Sequence, residues 1–128
     1  MVEIYHINFH TVRNLPIFLN PEYAASLGEI ISDIIREHEL VCHISTVMPN
    51  HVHLVLTTFP DQSRAQIVQL VKGGSARAFF ARYPLLREEI GAHLWQEGFD
   101  WVIVDSHRQF RNAIRYVQEN RGKIGLEG

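Results

Sequence analysis

The chain has 128 residues, enough for one domain with a proper hydrophobic core, and its 46% apolar and 20% charged residues are typical of globular proteins. Its single cysteine, Cys42, excludes an intramolecular disulfide, and its first residues lack the basic and apolar stretches of a signal peptide. The net charge of −2 excludes a chain that is basic throughout. We expect a single domain, residues 1–128, in the cytoplasm.

The first half of the chain predicts a strand, a helix and a hairpin. Residues 3–11 alternate as a strand, and Asn20-Pro21 is a typical helix start, with apolar residues at helical spacing up to about Glu39. Residues 40–48 and 51–58 predict two antiparallel strands joined by a tight turn at Pro49-Asn50. No charged side chain occurs from 40 to 60, but the histidines and the turn argue against a membrane segment.

The second half predicts two helices around a fourth strand. Asp61 is expected to cap a helix that runs to about Arg82, and Gly73-Gly74 predicts a kink or a close contact within it. Residues 84–97 are irregular or partly helical, and residues 99–105 predict the strand. Residues 106–109 form a capping box for a last helix reaching about Asn120. This order predicts an α+β sandwich, an antiparallel sheet with helices packed on one face.

Two histidines in the third strand are candidate metal ligands. Side chains alternate across a strand, so His51 and His53 share one face while Val52, Leu54 and Leu56 line the other. Two imidazoles held side by side form half of a divalent-metal site. Hydrogen-bonded structural histidines are the equally simple alternative.

The last helix carries a tyrosine at the border of its buried stripe. Phe110, Ala113, Ile114 and Val117 form that stripe, and Arg108, Arg111 and Arg115 lie on the roughly opposite side. Tyr116 lies between them, with Asn120 one turn further along the same strip. An amphipathic tyrosine with its hydroxyl in water is the alternative for Tyr116.

Positive charge is concentrated in two segments. Residues 62–87 hold five basic and no acidic side chains, and residues 106–123 hold five basic and one acidic. Such segments can attract anions on a nearly neutral protein, although solvated helix faces are the plainer interpretation. Together, a histidine pair, a tyrosine and nearby arginines favour phosphodiester chemistry, in which a metal polarises the phosphate and the tyrosine attacks phosphorus.

Several segments resemble one enzyme family. Residues 48–55, Met-Pro-Asn-His-Val-His-Leu-Val, resemble the histidine–hydrophobic–histidine (HUH) motif of the single-tyrosine transposases of small insertion sequences and REP-associated elements. Residues 71–77, residues 94–99 with their Leu-Trp-Gln, and residues 116–126 around Tyr116 are similar to further stretches of that family. The resemblance extends over nearly the whole chain in the same order.

The resemblance implies a ferredoxin-like (RRM-like) fold and metal-dependent nicking and rejoining of single-stranded DNA at hairpin-containing element ends by a homodimer. Carried over, Tyr116 is the nucleophile that forms a 5′-phosphotyrosine, His51 and His53 bind Mg²⁺ or Mn²⁺, and Asn120 is the candidate third ligand. Position alone makes five basic residues candidate DNA contacts: Lys72, Arg77, Arg108, Arg111 and Arg115.

Two other classes of function compete with a transposase: a nucleic-acid-binding module and a phosphoesterase of a different kind. A non-catalytic nucleic-acid-binding module on a similar sheet would rely on exposed aromatic side chains, whose usual pair on the central strands is not evident. A histidine-triad hydrolase would need a third alternating histidine where Val55 stands. A two-histidine phosphoesterase would need a second His-x-Ser/Thr motif beside His43-Ile44-Ser45.

Overall fold

The computed structural model describes the backbone of residues 2–127 and the side chains of residues 2–120. Within this range an antiparallel sheet has the order β2-β3-β1-β4. Its strands are β1 (Glu3–His10), β2 (Val41–Met48), β3 (His51–Thr58) and β4 (Asp100–Val104). The helices are α1 (Pro21–Glu37), α2 (Arg64–Arg82), α3 (Pro84–Ile90) and α4 (His107–Glu127), with short 3-10 turns at Val12–Asn14 and Ile17–Leu19. The predicted α+β class is confirmed.

The main core lies between one face of the sheet and helices α1 and α2. Alternate residues of the two central strands are buried there: Tyr5, Ile7, Phe9, Val52, Leu54 and Leu56. The apolar stripes of the helices pack against them, with Leu27 and Ile31 from α1 and Val68 and Val71 from α2. The strand alternation predicted from the sequence is therefore confirmed, and burial of these side chains is the main force holding the sheet to the helices.

The last helix packs on the opposite face of the sheet. Ala113 and Val117 of α4 form a second, smaller core with Val55 and Val104, which project from the face away from α1 and α2. The expectation that the helices cover one face therefore holds for α1 and α2 and is wrong for α4. The buried stripe predicted for this helix is confirmed, and its position over the second face places the helix beside the histidines of β3.

Local chemistry explains where α2 begins and why it continues past its glycines. Ser63 rather than Asp61 is the cap, because the Gln66 amide donates to Ser63 Oγ while Ser63 N–H donates to Gln66 Oε1. The helix continues through Gly73-Gly74 without a break. A Cβ atom at Gly74 would lie 3.1 Å from Cδ1 of Ile34, so the glycine permits the predicted close contact between α1 and α2.

The segment before β4 and the start of α4 differ from the predictions in detail. Residues 84–90 form a full helix, α3, which ends at Gly91 in the left-handed conformation. Half of the predicted capping box of α4 is present: Gln109 N–H donates to Ser106 Oγ, whereas the Gln109 side chain accepts from the N–H of Asp105, one residue before the cap. In the described part of the chain, no helix combines the length and apolarity needed to cross a membrane.

Candidate active site

Four histidines from the two central strands converge on the sheet face that α4 covers. β1 and β3 pair in a register that sets His10 opposite His51 and Asn8 opposite His53. His6 Nε2 lies 3.0 Å from His53 Nδ1, and His51 Nε2 lies 3.1 Å from His53 Nε2. The His10 ring stacks on that of His51, with centroids 5.0 Å apart. We refer to His6, His10, His51 and His53 as the histidine cluster.

Burial lowers the pKa of three histidines of the cluster, His6, His51 and His53. Burial first, and then repulsion from the neighbouring histidines, lowers the pKa of His53 to about 4. Burial also lowers the pKa of His6, and burial with the neighbouring His10 lowers that of His51. Because neutral imidazole keeps a lone pair, these three rings can donate to a cation at pH 7 without first losing a proton.

The geometry of His51 and His53 suits a divalent cation. Ligands of octahedral Mg²⁺ lie about 2.1 Å from the ion, so two adjacent ligand atoms are about 3.0 Å apart. The two Nε2 atoms are 3.1 Å apart, close to that spacing. Within the residues described, no three or more His, Cys, Asp or Glu side chains form a ready-made site. A cation here would therefore take its other ligands from amide, water or phosphate oxygens.

Two polar atoms beside the pair also lack partners. Asn8 Oδ1 and His10 Nδ1 are buried without a hydrogen bond among the described residues. Both residues lie on the same face of β1 as His6, directly across from the two candidate ligands. Since buried polar atoms normally have a hydrogen-bond partner, two buried atoms without one indicate that this region can bind a polar ligand.

Tyr116 lies against the histidine cluster in the same chain. Its ring centroid is 5.6 Å from that of His53 and 5.9 Å from that of His6. The side chain is 53% exposed, so one edge faces the cluster while the residue remains open to a ligand. The candidate nucleophile and the candidate ligand pair, which are distant in sequence, are therefore brought together on one face.

Asn120 is one turn beyond Tyr116 and partly exposed. Among the described contacts it makes no hydrogen bond with the histidine cluster. Near the start of α4, Phe110 contacts His43, with ring centroids 5.1 Å apart. Further along the helix, Tyr116 contacts His6 and His53. The helix therefore runs along the sheet toward His51. This direction brings Asn120 toward the candidate ligand pair, and its role as a third ligand stays a prediction.

The five predicted DNA contacts do not form one surface. Arg108, Arg111 and Arg115 are exposed on α4, whereas Arg77 is exposed on α2, which covers the other face of the sheet. The Lys72 ammonium donates to the carbonyls of Gln96 and Gly98, at 2.6 and 2.8 Å. Lys72 therefore holds the segment before β4 against α2, a structural role that the sequence prediction did not include.

Sequence reasoning assigned no role to His6 and His10. Their alternation in β1 showed that they share a face, but the register of β1 against β3 joins residues about 45 positions apart, which local patterns do not specify. The signal that could have revealed them is the repeated spacing. Both central strands carry polar, nitrogen-bearing side chains at alternate positions, and hydrophobic residues between them.

Comparisons with known proteins point to transposases. The family described as Transposase IS200 like matches residues 3–120. The ISDra2 transposase TnpA of Deinococcus radiodurans is 31% identical to this chain over 124 residues, which cover 94% of this chain and 88% of the relative.

Two solved structures share the fold. A Deinococcus radiodurans R1 protein proposed to be a transposase superimposes with a TM-score of 0.73 and 26% identity, over 94% of this chain and 92% of its own. A REP-associated tyrosine transposase bound to a REP hairpin superimposes with a TM-score of 0.70 and 18% identity, over 96% of this chain and 68% of its own. At that identity the second match supports the fold alone.

Proposed function

The chain belongs to the IS200-like transposase family and is a DNA transposase, and on that premise we propose that it cleaves and rejoins single-stranded DNA through Tyr116. The observation that carries the proposal is the position of the Tyr116 ring, 5.6 Å from that of His53 and half exposed. A nucleophile must be accessible to the substrate and close to the groups that neutralise the phosphate.

The proposed reaction is a pair of transesterifications. Tyr116 Oη, having lost its proton to solvent, attacks phosphorus; the new Oη–P bond forms as the P–O3′ bond breaks, and the 3′ oxygen takes up a proton. The product is a 5′-phosphotyrosine and a free 3′-hydroxyl. In the reverse sense a 3′-hydroxyl attacks the phosphotyrosine and restores both the phosphodiester and the tyrosine. The number of ester bonds is conserved, so no nucleotide hydrolysis is required.

We further propose that His51 and His53 hold Mg²⁺ or Mn²⁺, with Asn120 as a third ligand. When bound, such a cation polarises a non-bridging phosphate oxygen. The two Nε2 atoms, 3.1 Å apart, support the first part of this assignment. The direction of α4, which runs toward His51, supports Asn120 as the third ligand. Because Tyr116 is 53% exposed, a phosphate can reach it from solvent beside the histidine pair.

Single-stranded DNA with a hairpin is the proposed partner, reached in the cytoplasm. The REP-associated relative is bound to a REP hairpin, and the exposed arginines of α4 lie on the helix that carries Tyr116. Arg77 lies on the other side of the sheet, and the Lys72 ammonium donates to backbone carbonyls. The proposal that these two residues contact DNA therefore rests only on their positions in the sequence.

A homodimer is proposed as the assembly. β4 is an edge strand of the sheet, and Trp101, Val102 and Ile103 on it are exposed. Exposed apolar side chains on an unpaired edge favour pairing with another strand, here from a second copy. Sedimentation equilibrium of the full chain tests this proposal.

A covalent-trapping experiment tests the proposed function. We expect the protein, incubated with a pool of radiolabelled single-stranded hairpin DNAs and Mn²⁺, to form an adduct that survives denaturation. EDTA should abolish the adduct, because the phosphate would lose its cation, and fully double-stranded DNA should give none. Binding that is unaffected by EDTA, with no adduct on any DNA, would contradict the proposal and favour the non-catalytic binding module.

The α4 arginines are expected to weaken DNA binding when removed. Substituting Arg108, Arg111 or Arg115 singly with alanine should weaken binding by roughly 3- to 10-fold, because each side chain would meet a phosphate. The slope of log affinity against log salt should fall by about 0.7 for each phosphate of a single strand that is no longer neutralised. Titrations by fluorescence anisotropy at several salt concentrations measure both quantities.

The matched control is Arg36→Ala, since Arg36 lies on α1 and pairs with Asp33 at 2.6 Å. It should leave the affinity and the salt slope unchanged. An unchanged salt slope in all three α4 variants would show that DNA follows another surface.

A further inference from the structure

Three contacts join four side chains into a continuous hydrogen-bonding chain that passes through the candidate ligand pair. Asn50 Oδ1 lies 2.8 Å from His51 Nδ1, and His51 Nε2 lies 3.1 Å from His53 Nε2. His53 Nδ1 in turn lies 3.0 Å from His6 Nε2. Each ring nitrogen of His51 and His53 therefore has a hydrogen-bonding neighbour. The positions of the protons along these contacts decide which of the nitrogens have a free lone pair.

At the Asn50 end of this hydrogen-bonding chain, the protons can be placed in only one way. A side-chain amide oxygen accepts hydrogen bonds, so His51 Nδ1 carries a proton and donates it to Asn50. Neutral imidazole has a single N–H, and His51 Nε2 is therefore a lone pair. This nitrogen keeps its lone pair in any arrangement of the remaining protons, and it either accepts a hydrogen bond from His53 or faces a cation.

At the His53 end of the hydrogen-bonding chain, the protons can be placed in two ways. In the first, His53 Nε2 carries the proton and donates it to His51, while His6 Nε2–H donates to His53 Nδ1. In the second, His53 Nδ1 carries the proton and donates it to His6 Nε2, which leaves both Nε2 lone pairs facing the same point. Two lone pairs 3.1 Å apart repel each other unless a cation lies between them, so the second arrangement requires a bound ion.

We propose that His6 is a positioning residue for the metal site: by accepting a hydrogen bond from His53 Nδ1–H, it permits the tautomer in which His53 can bind a cation beside His51. The inference rests on the proposed function. Cation binding then moves the His53 proton from Nε2 to Nδ1 and the His6 proton from Nε2 to Nδ1, by exchange with solvent and with no net proton released. Orientation of a ligating histidine through its second nitrogen is a common feature of metal sites.

The choice of His6 over the other cluster members follows from its contact. His10 stacks on His51 through its ring face, with an interplanar angle of 23°, and among the described hydrogen bonds none joins it to a nitrogen of the pair. His6 is the residue whose nitrogen faces His53 Nδ1 in the described structure. Without an acceptor at that position, the cation-binding tautomer would leave a buried N–H unpaired.

Two variants separate this role from a simple packing role. His6→Gln retains a side-chain group that can accept or donate at about the position of Nε2, whereas His6→Phe retains the ring shape without any acceptor. We expect the Mn²⁺ dissociation constant, followed by the electron paramagnetic resonance of free Mn²⁺, to rise about 10- to 100-fold in His6→Phe. In His6→Gln it should stay within about threefold of wild type, and likewise in the control His43→Phe on the neighbouring strand.

The tautomer itself is measured by long-range ¹H–¹⁵N correlation spectra of histidine-labelled protein, with diamagnetic Mg²⁺ in place of Mn²⁺. Addition of Mg²⁺ to wild type and to His6→Gln should convert His53 from the Nε2–H to the Nδ1–H form. Melting temperatures of both variants show whether the fold is intact.

The outcomes distinguish this inference from the proposed function. Unchanged Mn²⁺ affinity in His6→Phe would overturn the inference and leave the metal site standing. A His53 that keeps its Nε2 proton in the presence of bound Mg²⁺ would overturn both the inference and the assignment of His53 as a ligand, because a protonated nitrogen has no lone pair for the ion. An equal loss of Mn²⁺ affinity in His6→Phe and His6→Gln, with both folds intact, would also overturn the inference, because the hydrogen-bond acceptor of glutamine would not have restored Mn²⁺ binding. A wild-type protein that binds no Mn²⁺ would refute the proposed metal site, and the role of His6 with it.

Discussion

Tyr116→Phe is expected to abolish the covalent protein–DNA adduct while leaving the affinity for single-stranded DNA within about threefold of wild type. The substitution removes one oxygen atom, the proposed nucleophile, and keeps the ring that lies beside His6 and His53. Loss of a nucleophile removes the covalent step itself, so cleavage should fall by roughly 1,000-fold or more. Denaturing gels of labelled DNA measure the adduct, and anisotropy titrations measure binding.

The matched control is Tyr23→Phe. Tyr23 lies on α1, where its ring packs against Phe79 and Tyr83 in the main core, on the far side of the sheet from the histidine cluster. That variant should form the adduct as wild type does. An adduct of normal yield in Tyr116→Phe would show that another residue attacks phosphorus, whereas loss of DNA binding in the same variant would show that Tyr116 holds the strand rather than cleaving it.

Much of the fold follows from local patterns in the sequence. Strand alternation identified the two faces of the central strands, and β3 begins and ends where its composition predicted, at His51 and Thr58. The hairpin turn and the caps of α1 and α4 are also encoded by residues close in sequence, because each depends on side chains that bond to nearby backbone. The Ser63 cap was missed since Asp61 is an equally good cap in isolation.

The candidate site was predictable only in its two parts, not in their arrangement. His51 and His53 stand two residues apart in one strand, and the helical wheel placed Tyr116 at the border of a buried stripe. Their meeting depends on α4 crossing the face of the sheet opposite α1, which is decided by long-range packing of Ala113 and Val117 against Val55.

The role of Lys72 shows the same limit. A lysine in a basic helix segment is typical of a surface charge, and the segment contains no local feature that separates it from Arg77. In the fold, two carbonyls of the segment before β4 come within 2.8 Å of its ammonium. Burial lowers the pKa of Lys72, while nearby Glu97 opposes this shift. Only the tertiary structure identifies this contact.

His51→Ala and His53→Ala should each weaken Mn²⁺ binding by more than about 100-fold, because each removes one of the two nitrogen ligands proposed for the cation. The covalent adduct should disappear in parallel. Because burial and neighbouring histidines lower the pKa of His53 to about 4, we expect the wild-type affinity to change little between pH 8 and pH 7 and to fall as acid protonates the pair.

Thermal unfolding gives an independent measure of the same site. A ligand that binds only the folded state stabilises it by about 2.7 kcal/mol at 100 times its dissociation constant. For a chain of this length such a gain raises the melting temperature by roughly 10 °C. Wild type and the control His43→Ala should show this shift with Mn²⁺, since His43 bonds to Thr57 on the neighbouring strand and lies outside the cluster. The two ligand variants should show none. If both variants kept the shift and the adduct, the cation would lie elsewhere, and the 3.1 Å between the two Nε2 atoms would be an ordinary hydrogen bond between structural histidines.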